Sequence, residues 1–247
     1  MSEQSVTITN RRQQRLAGVV HGELGAEYAA ILCHGMLSTK DSPKHVALAR
    51  RLAAAGVATV RFDFAGRGES DGTLFDLSYS NEIEDLDAVV EWLWARGVKR
   101  IGIFGSSMGG AVALLTASRD ERVVAVATMA AVAHPGAMEE RYPTQTQDWR
   151  DKGYIDSQEG RIGVGFLDDA QTHDVSSAVS VLLAPILVVH GTEDEIVPTS
   201  DAHDIACAAR RASLLEVEGA DHRFTRREDL EEALSQIESF LTSELRG

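Results

Sequence analysis

One strand–turn–helix pattern constrains the fold of this chain more than any other feature. The apolar run Ile101–Phe104 predicts a short buried strand, and Ala111–Leu115 predicts a helix. Between them stands Gly105-x-Ser107-x-Gly109, the spacing of a strand-to-helix turn so tight that small residues must flank the serine. Such a turn exposes the hydroxyl at a sheet edge, where the N-terminus of the following helix favours negative charge. We therefore expect an α/β fold with Ser107 at the edge of its sheet, available as a nucleophile.

The serine spacing occurs twice, and only its context separates the two matches. The second match, residues 68–72, is centred on Ser70. A polar, glycine-containing loop, residues 63–67, precedes it, and no helix of small residues follows it directly. Ser106 lacks the small flanking residues at the required spacing. Ser107 is therefore the predicted nucleophile.

The composition is that of a folded, acidic protein. A length of 247 residues is ordinary for one α/β domain, and a hydrophobic content of 44% argues against disorder. The chain has 24 Lys and Arg against 38 Asp and Glu, a net charge of −14 that repels nucleic acid and anionic lipid. We expect a single domain over residues 1–247 with no nucleic-acid partner.

Cysteine usage and apolar runs bear on location and cofactors. Cys33 and Cys207 lie in an apolar run and a predicted helix, so both are expected to be small buried side chains in a reducing compartment. The N-terminus lacks the apolar core of a signal peptide, and the longest apolar run, Val123–Ala133, is too short to span a bilayer. These features predict a cytoplasmic protein without membrane insertion. No zinc-ligand spacing, dinucleotide fingerprint or P-loop occurs, so neither a metal nor a cofactor is expected.

Strand-like and helix-like segments alternate along the chain, which predicts a mostly parallel eight-stranded sheet flanked by helices. The predicted strands are Val6–Thr9, Leu16–Val20, Ala29–Cys33, Val57–Phe62, Lys99–Phe104, Val123–Thr128, Ile186–Val189 and Leu214–Val217. Besides the helix after Ser107, the predicted helices are Pro43–Ala55, Asn81–Ala95, Ser200–Ala209 and Glu228–Leu245.

Residues 133–184 break this alternation, and they are longer than a plain connection needs. We interpret them as an inserted cap over the site. The cap carries four large aromatic residues, which either line an apolar acyl or aryl pocket or anchor the cap to the body. They are Tyr142, Trp149, Tyr154 and Phe166.

A serine nucleophile needs an orienting acid and a base, which in this fold follow it in that order. The loop after the predicted strand Ile186–Val189 offers three adjacent carboxylates, Glu193, Asp194 and Glu195. We favour Asp194, at the centre of the loop, and expect the two glutamates to be solvated.

Two histidines follow that loop and could serve as the base. His203 falls in a predicted helix, where surface exposure is expected, whereas His222 follows the last predicted strand in a loop that can reach the serine. A neutral imidazole can accept the hydroxyl proton near neutral pH. His222 is therefore the predicted general base, and His34, which precedes the serine, is interpreted as structural.

The tetrahedral intermediate of acyl transfer needs two backbone N–H donors. One is expected from Met108, directly after the nucleophile, and the other from Met36, in the loop after an earlier strand. Losing one such donor typically lowers the rate on the order of a hundred- to a thousand-fold.

Five motifs in register make the chain resemble the α/β-hydrolase superfamily, most closely the small bacterial serine esterases of the cinnamoyl or feruloyl type. The motifs are His34-Gly35, Asp63-x-x-Gly66-x-Gly68-x-Ser70-Asp71, Gly105-x-Ser107-Met108-Gly109-Gly110, His190-Gly191-x-x-Asp194-x-x-Val197-Pro198 and Gly219-x-x-His222. The resemblance spans roughly Ala29 to the C-terminus. It implies that Asp194 is the triad acid and that the loop from Asp63 to Gly72 is structural.

The expected activity is hydrolysis of carboxylic esters through an acyl-serine intermediate, with a small-molecule ester as the substrate. An amidase, peptidase or thioesterase could use the same three residues, because the acyl-enzyme is common to all of them. A binding protein on the same fold is the alternative from another class, since function resides in the site and not in the fold. Every residue that this chemistry needs is present in the chain, which favours an enzyme.

Overall fold

An eight-stranded sheet forms the centre of the protein, as seen in a computed structural model that describes residues 2–25 and 27–247. The strands of the described chain are β1 (Glu3–Thr9), β2 (Arg15–His21), β3 (Tyr28–Cys33), β4 (Ala58–Phe62), β5 (Arg100–Ser106), β6 (Val123–Met129), β7 (Tyr154–Ser157), β8 (Gly160–Gly163), β9 (Ile186–Gly191) and β10 (Ala212–Val217). The strand order across the sheet is β1-β2-β4-β3-β5-β6-β9-β10.

The sheet is parallel from β4 onward. Strand β2 pairs antiparallel with β1 and β4, whereas the pairs β3–β4, β3–β5, β5–β6, β6–β9 and β9–β10 are all parallel. The carboxyl ends of the parallel strands therefore meet at one edge, which is where ligands bind in open α/β sheets. The predicted fold, a mostly parallel eight-stranded sheet with flanking helices, is confirmed.

Helices cover both faces of the sheet. The helices of the described chain are α1 (Pro43–Ala54), α2 (Tyr79–Trp94), α3 (Met108–Ala117), α4 (Met138–Arg141), α5 (Pro143–Lys152), α6 (Gly165–Ala170), α7 (Val175–Val181), α8 (Thr199–Ala208) and α9 (Arg227–Arg246). Helices α1 and α9 pack with one face of the central strands, and α2, α3, α7 and α8 contribute to the larger apolar cluster on the other face. None of the described helices is long and apolar enough to cross a membrane.

Helix α2 begins two residues before its predicted start at Asn81. Ser78 caps it, because the Ser78 hydroxyl accepts the N–H of Asn81 at 3.1 Å. The buried face of α2 includes the charged Asp85, whereas the apolar Ile83 is only partly buried. Asp85 accepts hydrogen bonds from the Asn10 side chain at 2.6 Å and from the Ala65 N–H at 2.8 Å, which satisfies the buried carboxylate.

Residues 133–184, the proposed cap, hold four short helices (α4–α7) and the β7–β8 hairpin, none of which the sequence pattern indicated. Buried Trp149 stacks on buried Phe166, with ring centroids 5.6 Å apart and planes 7° apart, and Phe166 contacts Tyr79 of α2. These two cap aromatics anchor the segment to the body. Tyr142 is exposed, and Tyr154 is half-buried under the Arg161 guanidinium.

The two cysteines differ in their surroundings. Cys33 is buried at the end of β3, and burial raises the pKa of its thiol well above the ordinary value. Cys207 lies in α8 as predicted but is exposed, so the expectation that both thiols are buried was wrong for Cys207. It stands near the end of α8, on a side that faces solvent rather than the sheet.

Candidate active site

Ser107 occupies a strained turn between β5 and α3. Its φ of 55° and ψ of −123° lie in a region that residues other than glycine rarely adopt. The Ser107 N–H donates to the Met129 carbonyl at 2.9 Å, and the Ser107 carbonyl accepts the N–H of Gly110 at 2.9 Å. Strain of this kind costs about 1–3 kcal/mol and persists only where the surroundings enforce it. Here a neighbouring strand end and the first turn of α3 do so.

The two flanking glycines are required by close backbone approach. A Cβ on Gly105 would lie 2.7 Å from the Gly110 Cα, and one on Gly109 would lie 2.6 Å from the Cys33 carbonyl oxygen. Neither distance can be accommodated without moving backbone, so only glycine fits at these positions. The tight packing brings the start of α3 against the loop that follows β3.

That loop carries the predicted oxyanion donors. A Cβ on Gly35 would lie 3.2 Å from the Ser107 Cβ and 3.8 Å from its Oγ, so Gly35 directly adjoins the nucleophile. Within the described residues, the N–H groups of Met36 and Met108 donate to no protein acceptor. Met108 is the first residue of α3, where no intrahelical acceptor exists. Both amides are thus available to an anionic oxygen near Ser107.

The predicted acid and base contact each other. The His222 Nδ1 lies 2.8 Å from Asp194 Oδ2 and 3.0 Å from Asp194 Oδ1. Since a carboxylate only accepts, Nδ1 carries the hydrogen, which leaves Nε2 of the neutral ring free to accept a proton. The Asp194 side chain is fully buried and that of His222 is mostly buried.

Backbone and side-chain donors keep Asp194 ionised. Its Oδ1 accepts the N–H groups of Ile196 at 2.9 Å and Val197 at 2.8 Å. Burial acts to raise the pKa of Asp194, but hydrogen bonds from His190, His222 and Val197 outweigh burial and hold that pKa well below its ordinary value. The carboxylate is therefore charged at neutral pH, as an orienter of an imidazolium must be.

Ser107 and the His222–Asp194 pair sit at the same edge of the sheet, at the carboxyl ends of β5, β9 and β10. In the described structure, no hydrogen bond joins Ser107 Oγ to the His222 ring. Catalytic hydrogen bonds are commonly longer without substrate than in the reacting complex. The geometry brings Asp194 and His222 into contact and places Ser107 at the same edge of the sheet.

The residues that sequence analysis rejected as nucleophile, acid or base are either held in hydrogen bonds of the fold or exposed to solvent. Ser70 Oγ donates to the Asp63 carbonyl at 2.6 Å and accepts the Ala17 N–H at 2.9 Å, so its hydroxyl is occupied. His203 is exposed on α8, 3.1 Å from Glu216.

His34 is buried, accepts the Phe64 N–H on Nε2 at 3.1 Å and contacts the Gly35 carbonyl through Nδ1 at 2.8 Å. Burial lowers the pKa of His34 to about 4, consistent with a neutral structural ring. The flanking glutamates of Asp194, Glu193 and Glu195, are exposed as expected.

Sequence analysis missed one residue of this site. His190, at the end of β9, is fully buried, and its Nε2 lies 3.3 Å from Asp194 Oδ2. It stood within a recognised motif but received no role. The signal that could have indicated one is its spacing, four residues before Asp194 and directly before Gly191, at the carboxyl end of a strand.

Comparison with known proteins places this geometry in a family. The profile of the alpha/beta hydrolase family matches residues 30–233. Among curated proteins, the mouse mitochondrial palmitoyl-protein thioesterase ABHD10 is 26% identical over 252 aligned residues, covering 95% of this chain and 80% of the relative.

Solved structures share the whole fold. The ferulic acid complex of Est1E from Butyrivibrio proteoclasticus superimposes with a TM-score of 0.84 at 22% identity, covering 98% of this chain and 100% of that one. Mouse alpha/beta hydrolase domain-containing protein 10 gives a TM-score of 0.83 at 23% identity, covering 97% and 99%. The family match supports hydrolase activity. The chain belongs to the alpha/beta hydrolase family.

Proposed function

We propose that the protein is a serine hydrolase that cleaves carboxylic esters through an acyl-serine intermediate. Ser107 is the nucleophile, His222 the general base and Asp194 the residue that orients and stabilises the histidine. The observation that carries the proposal is the 2.8 Å contact between His222 Nδ1 and the buried Asp194 carboxylate, at the edge of the sheet where the strained Ser107 turn lies.

Acylation begins with proton transfer. His222 Nε2 takes the Ser107 hydroxyl proton as Oγ attacks the ester carbonyl carbon, and Asp194 stabilises the imidazolium that forms. The carbonyl oxygen becomes an oxyanion, which the N–H groups of Met36 and Met108 stabilise. When the intermediate collapses, the bond to the leaving oxygen breaks, and the imidazolium gives its proton to the departing alcohol.

Deacylation repeats these steps with water. His222 removes a proton from a water molecule, whose oxygen attacks the acyl carbon of the ester on Ser107. The oxyanion again lies against the Met36 and Met108 amides. Collapse releases the carboxylic acid and returns the proton to Ser107 Oγ. Each step uses only side chains and amides of this chain, with water as the second substrate.

A thioesterase is the second candidate, because the curated relative ABHD10 bears the name of a palmitoyl-protein thioesterase. The same acyl-serine serves both substrates, but a thiolate leaves with less need of a proton than an alkoxide does. A panel with one acyl chain presented as an ester, a thioester and an amide separates the candidates. We expect kcat/KM for the ester to lie well above that for the amide, and a thioester value far above the ester would favour the thioesterase.

We also propose that residues 133–184 act as a cap that shapes the acyl or alcohol pocket, and that the substrate is a small molecule. The predicted cytoplasmic location stays a prediction, and the name of the mouse relative places that protein in mitochondria.

Replacing the nucleophile tests the proposal. The Ser107→Ala variant is expected to lose at least about a thousand-fold in p-nitrophenyl ester turnover, because it removes the hydroxyl at the strained strand-to-helix turn. Ser70→Ala is the matched control, since Ser70 is the centre of the second G-x-S-x-G match. Full turnover by Ser107→Ala, or an equal loss in both variants, would contradict the proposal.

A further inference from the structure

We propose that His190 is a positioning residue that fixes Asp194 in the orientation in which the carboxylate pairs with His222. This inference rests on the proposed function. It adds a second histidine that contacts the carboxylate of the acid–base pair.

The contacts of His190 define which nitrogen carries its hydrogen. The ring is fully buried, and its Nε2 lies 2.9 Å from the Val197 carbonyl oxygen and 3.3 Å from Asp194 Oδ2. Both of these oxygens can only accept hydrogen bonds. Nε2 therefore carries a hydrogen, which it donates to the Val197 carbonyl, and the Asp194 carboxylate is a second, longer contact of the same N–H.

The surroundings of the other ring nitrogen, Nδ1, argue against a role of His190 in packing alone. His190 Nδ1 is buried and has no hydrogen-bond partner among the described residues. A buried polar atom without a partner costs about 1–3 kcal/mol, a cost that an apolar side chain of similar size would avoid. The contacts of Nε2 with Val197 and Asp194 are therefore what an imidazole offers at this position and a hydrophobic side chain does not.

The arrangement gives the carboxylate donors on both oxygens. Oδ1 of Asp194 is held by two backbone N–H groups, and Oδ2 is shared by His222 and His190. Charged groups near this cluster include Lys44 of α1, near Asp194, Glu195, whose carboxylate accepts the His222 backbone N–H at 3.4 Å, and Asp201 of α8, near His190. Without His190, Oδ2 has His222 as its remaining side-chain donor. The carboxylate is then less firmly oriented and carries a less dispersed charge.

Two consequences for activity follow. Loss of a hydrogen bond to a charged group corresponds to a decrease in kcat of about ten- to a hundred-fold, because the misplaced carboxylate orients His222 less well. The less dispersed charge attracts the His222 imidazolium more strongly. The acidic limb of the plot of kcat/KM against pH is therefore expected to move to higher pH.

Two substitutions separate positioning from packing. His190→Leu removes the donor, whereas in His190→Gln the side-chain amide can place an N–H near the former Nε2 position. We expect His190→Leu to show both consequences and His190→Gln to remain within a few-fold of the parent with an unshifted acidic limb. His203→Leu removes an exposed histidine outside the site and is the matched control.

A third measurement applies to the unaltered protein and covers the case in which His190→Leu does not fold. Histidine ¹⁵N NMR at neutral pH is expected to show that His190 Nε2 is protonated. Unprotonated Nε2 at neutral pH would overturn the inference, as would parent-like kcat and pH dependence in folded His190→Leu. If Ser107→Ala keeps full activity, the proposed function fails instead, so the two failures are distinguishable.

Discussion

Replacing Asp194 by asparagine removes one negative charge and reverses the direction of one hydrogen bond. The contacts of the two carboxylate oxygens determine which hydrogen bond is reversed. Two backbone N–H groups, from Ile196 and Val197, point at Oδ1 at 2.9 and 2.8 Å. An amide –NH₂ at the Oδ1 position would face these two N–H donors and could hydrogen-bond to neither of them. These two short hydrogen bonds outweigh the single 3.3 Å contact of His190 Nε2 with Oδ2, so we expect the asparagine to place its carbonyl oxygen at Oδ1 and direct its –NH₂ at the His222 ring.

This forced orientation reverses the tautomer of His222. The asparagine –NH₂ donates to Nδ1, so the ring hydrogen moves to Nε2, and Nε2 can no longer accept the proton of Ser107. The imidazolium also loses its counter-charge. Together these effects correspond to a loss of about ten-thousand-fold in kcat, or about 5 kcal/mol of transition-state stabilisation.

The assay is steady-state hydrolysis of a p-nitrophenyl ester, with urea unfolding to establish that Asp194→Asn is folded. Asp204→Asn is the control, because Asp204 is an exposed carboxylate that also contacts a histidine, His134, at 2.8 Å. We expect the control to keep parent-like kcat. A folded Asp194→Asn variant that loses less than about ten-fold would refute the assigned role of the carboxylate.

Three further predictions concern the turn, the acid and the cap. Gly109→Ala places a Cβ 2.6 Å from the Cys33 carbonyl oxygen, so we expect the free energy of unfolding to fall by about 1–3 kcal/mol in urea titrations together with a loss of activity, and parent-like values would contradict the packing argument. Although burial acts to raise the pKa of Asp194, its hydrogen bonds hold that pKa below the ordinary value, so its stabilising contribution is present above about pH 4 and is lost as the pH falls further. In urea titrations below about pH 4, the free energy of unfolding should therefore fall more steeply with decreasing pH for the parent than for Asp194→Asn. Parallel plots of that free energy against pH would contradict this prediction. Trp149→Ala removes the ring stacked on Phe166 and should lower the free energy of unfolding by about 3–5 kcal/mol, whereas a loss below about 1 kcal/mol would show that the cap is not anchored there.

The sheet and the serine turn were predictable because their signals are local. The central strand β5 is buried along almost its whole length and therefore reads as a continuous apolar run, and the glycines around Ser107 are required by contacts of that turn. The positions of Asp194 and His222 followed from chain order and from the strand ends that precede them. Their mutual contact, however, was an expectation that only coordinates could examine.

What escaped prediction depends on contacts between distant segments. Asp85 is buried on α2 because Asn10 and Ala65 satisfy its oxygens, and neither partner is near it in the chain. The short elements of residues 133–184 are stabilised by packing such as Trp149 on Phe166 rather than by a periodic pattern. His190 was missed for a related reason, since its role depends on which ring nitrogen faces Asp194.

Covalent labelling tests the central claim most directly. A fluorophosphonate reacts with a serine only when a base activates it and an oxyanion site stabilises the transition state. The parent protein is treated with the probe and digested, and the modified residue is identified by mass spectrometry. We predict a single adduct on Ser107, abolished in Ser107→Ala and strongly slowed in His222→Ala. An adduct on another residue, or no adduct on the folded parent protein, would contradict the account.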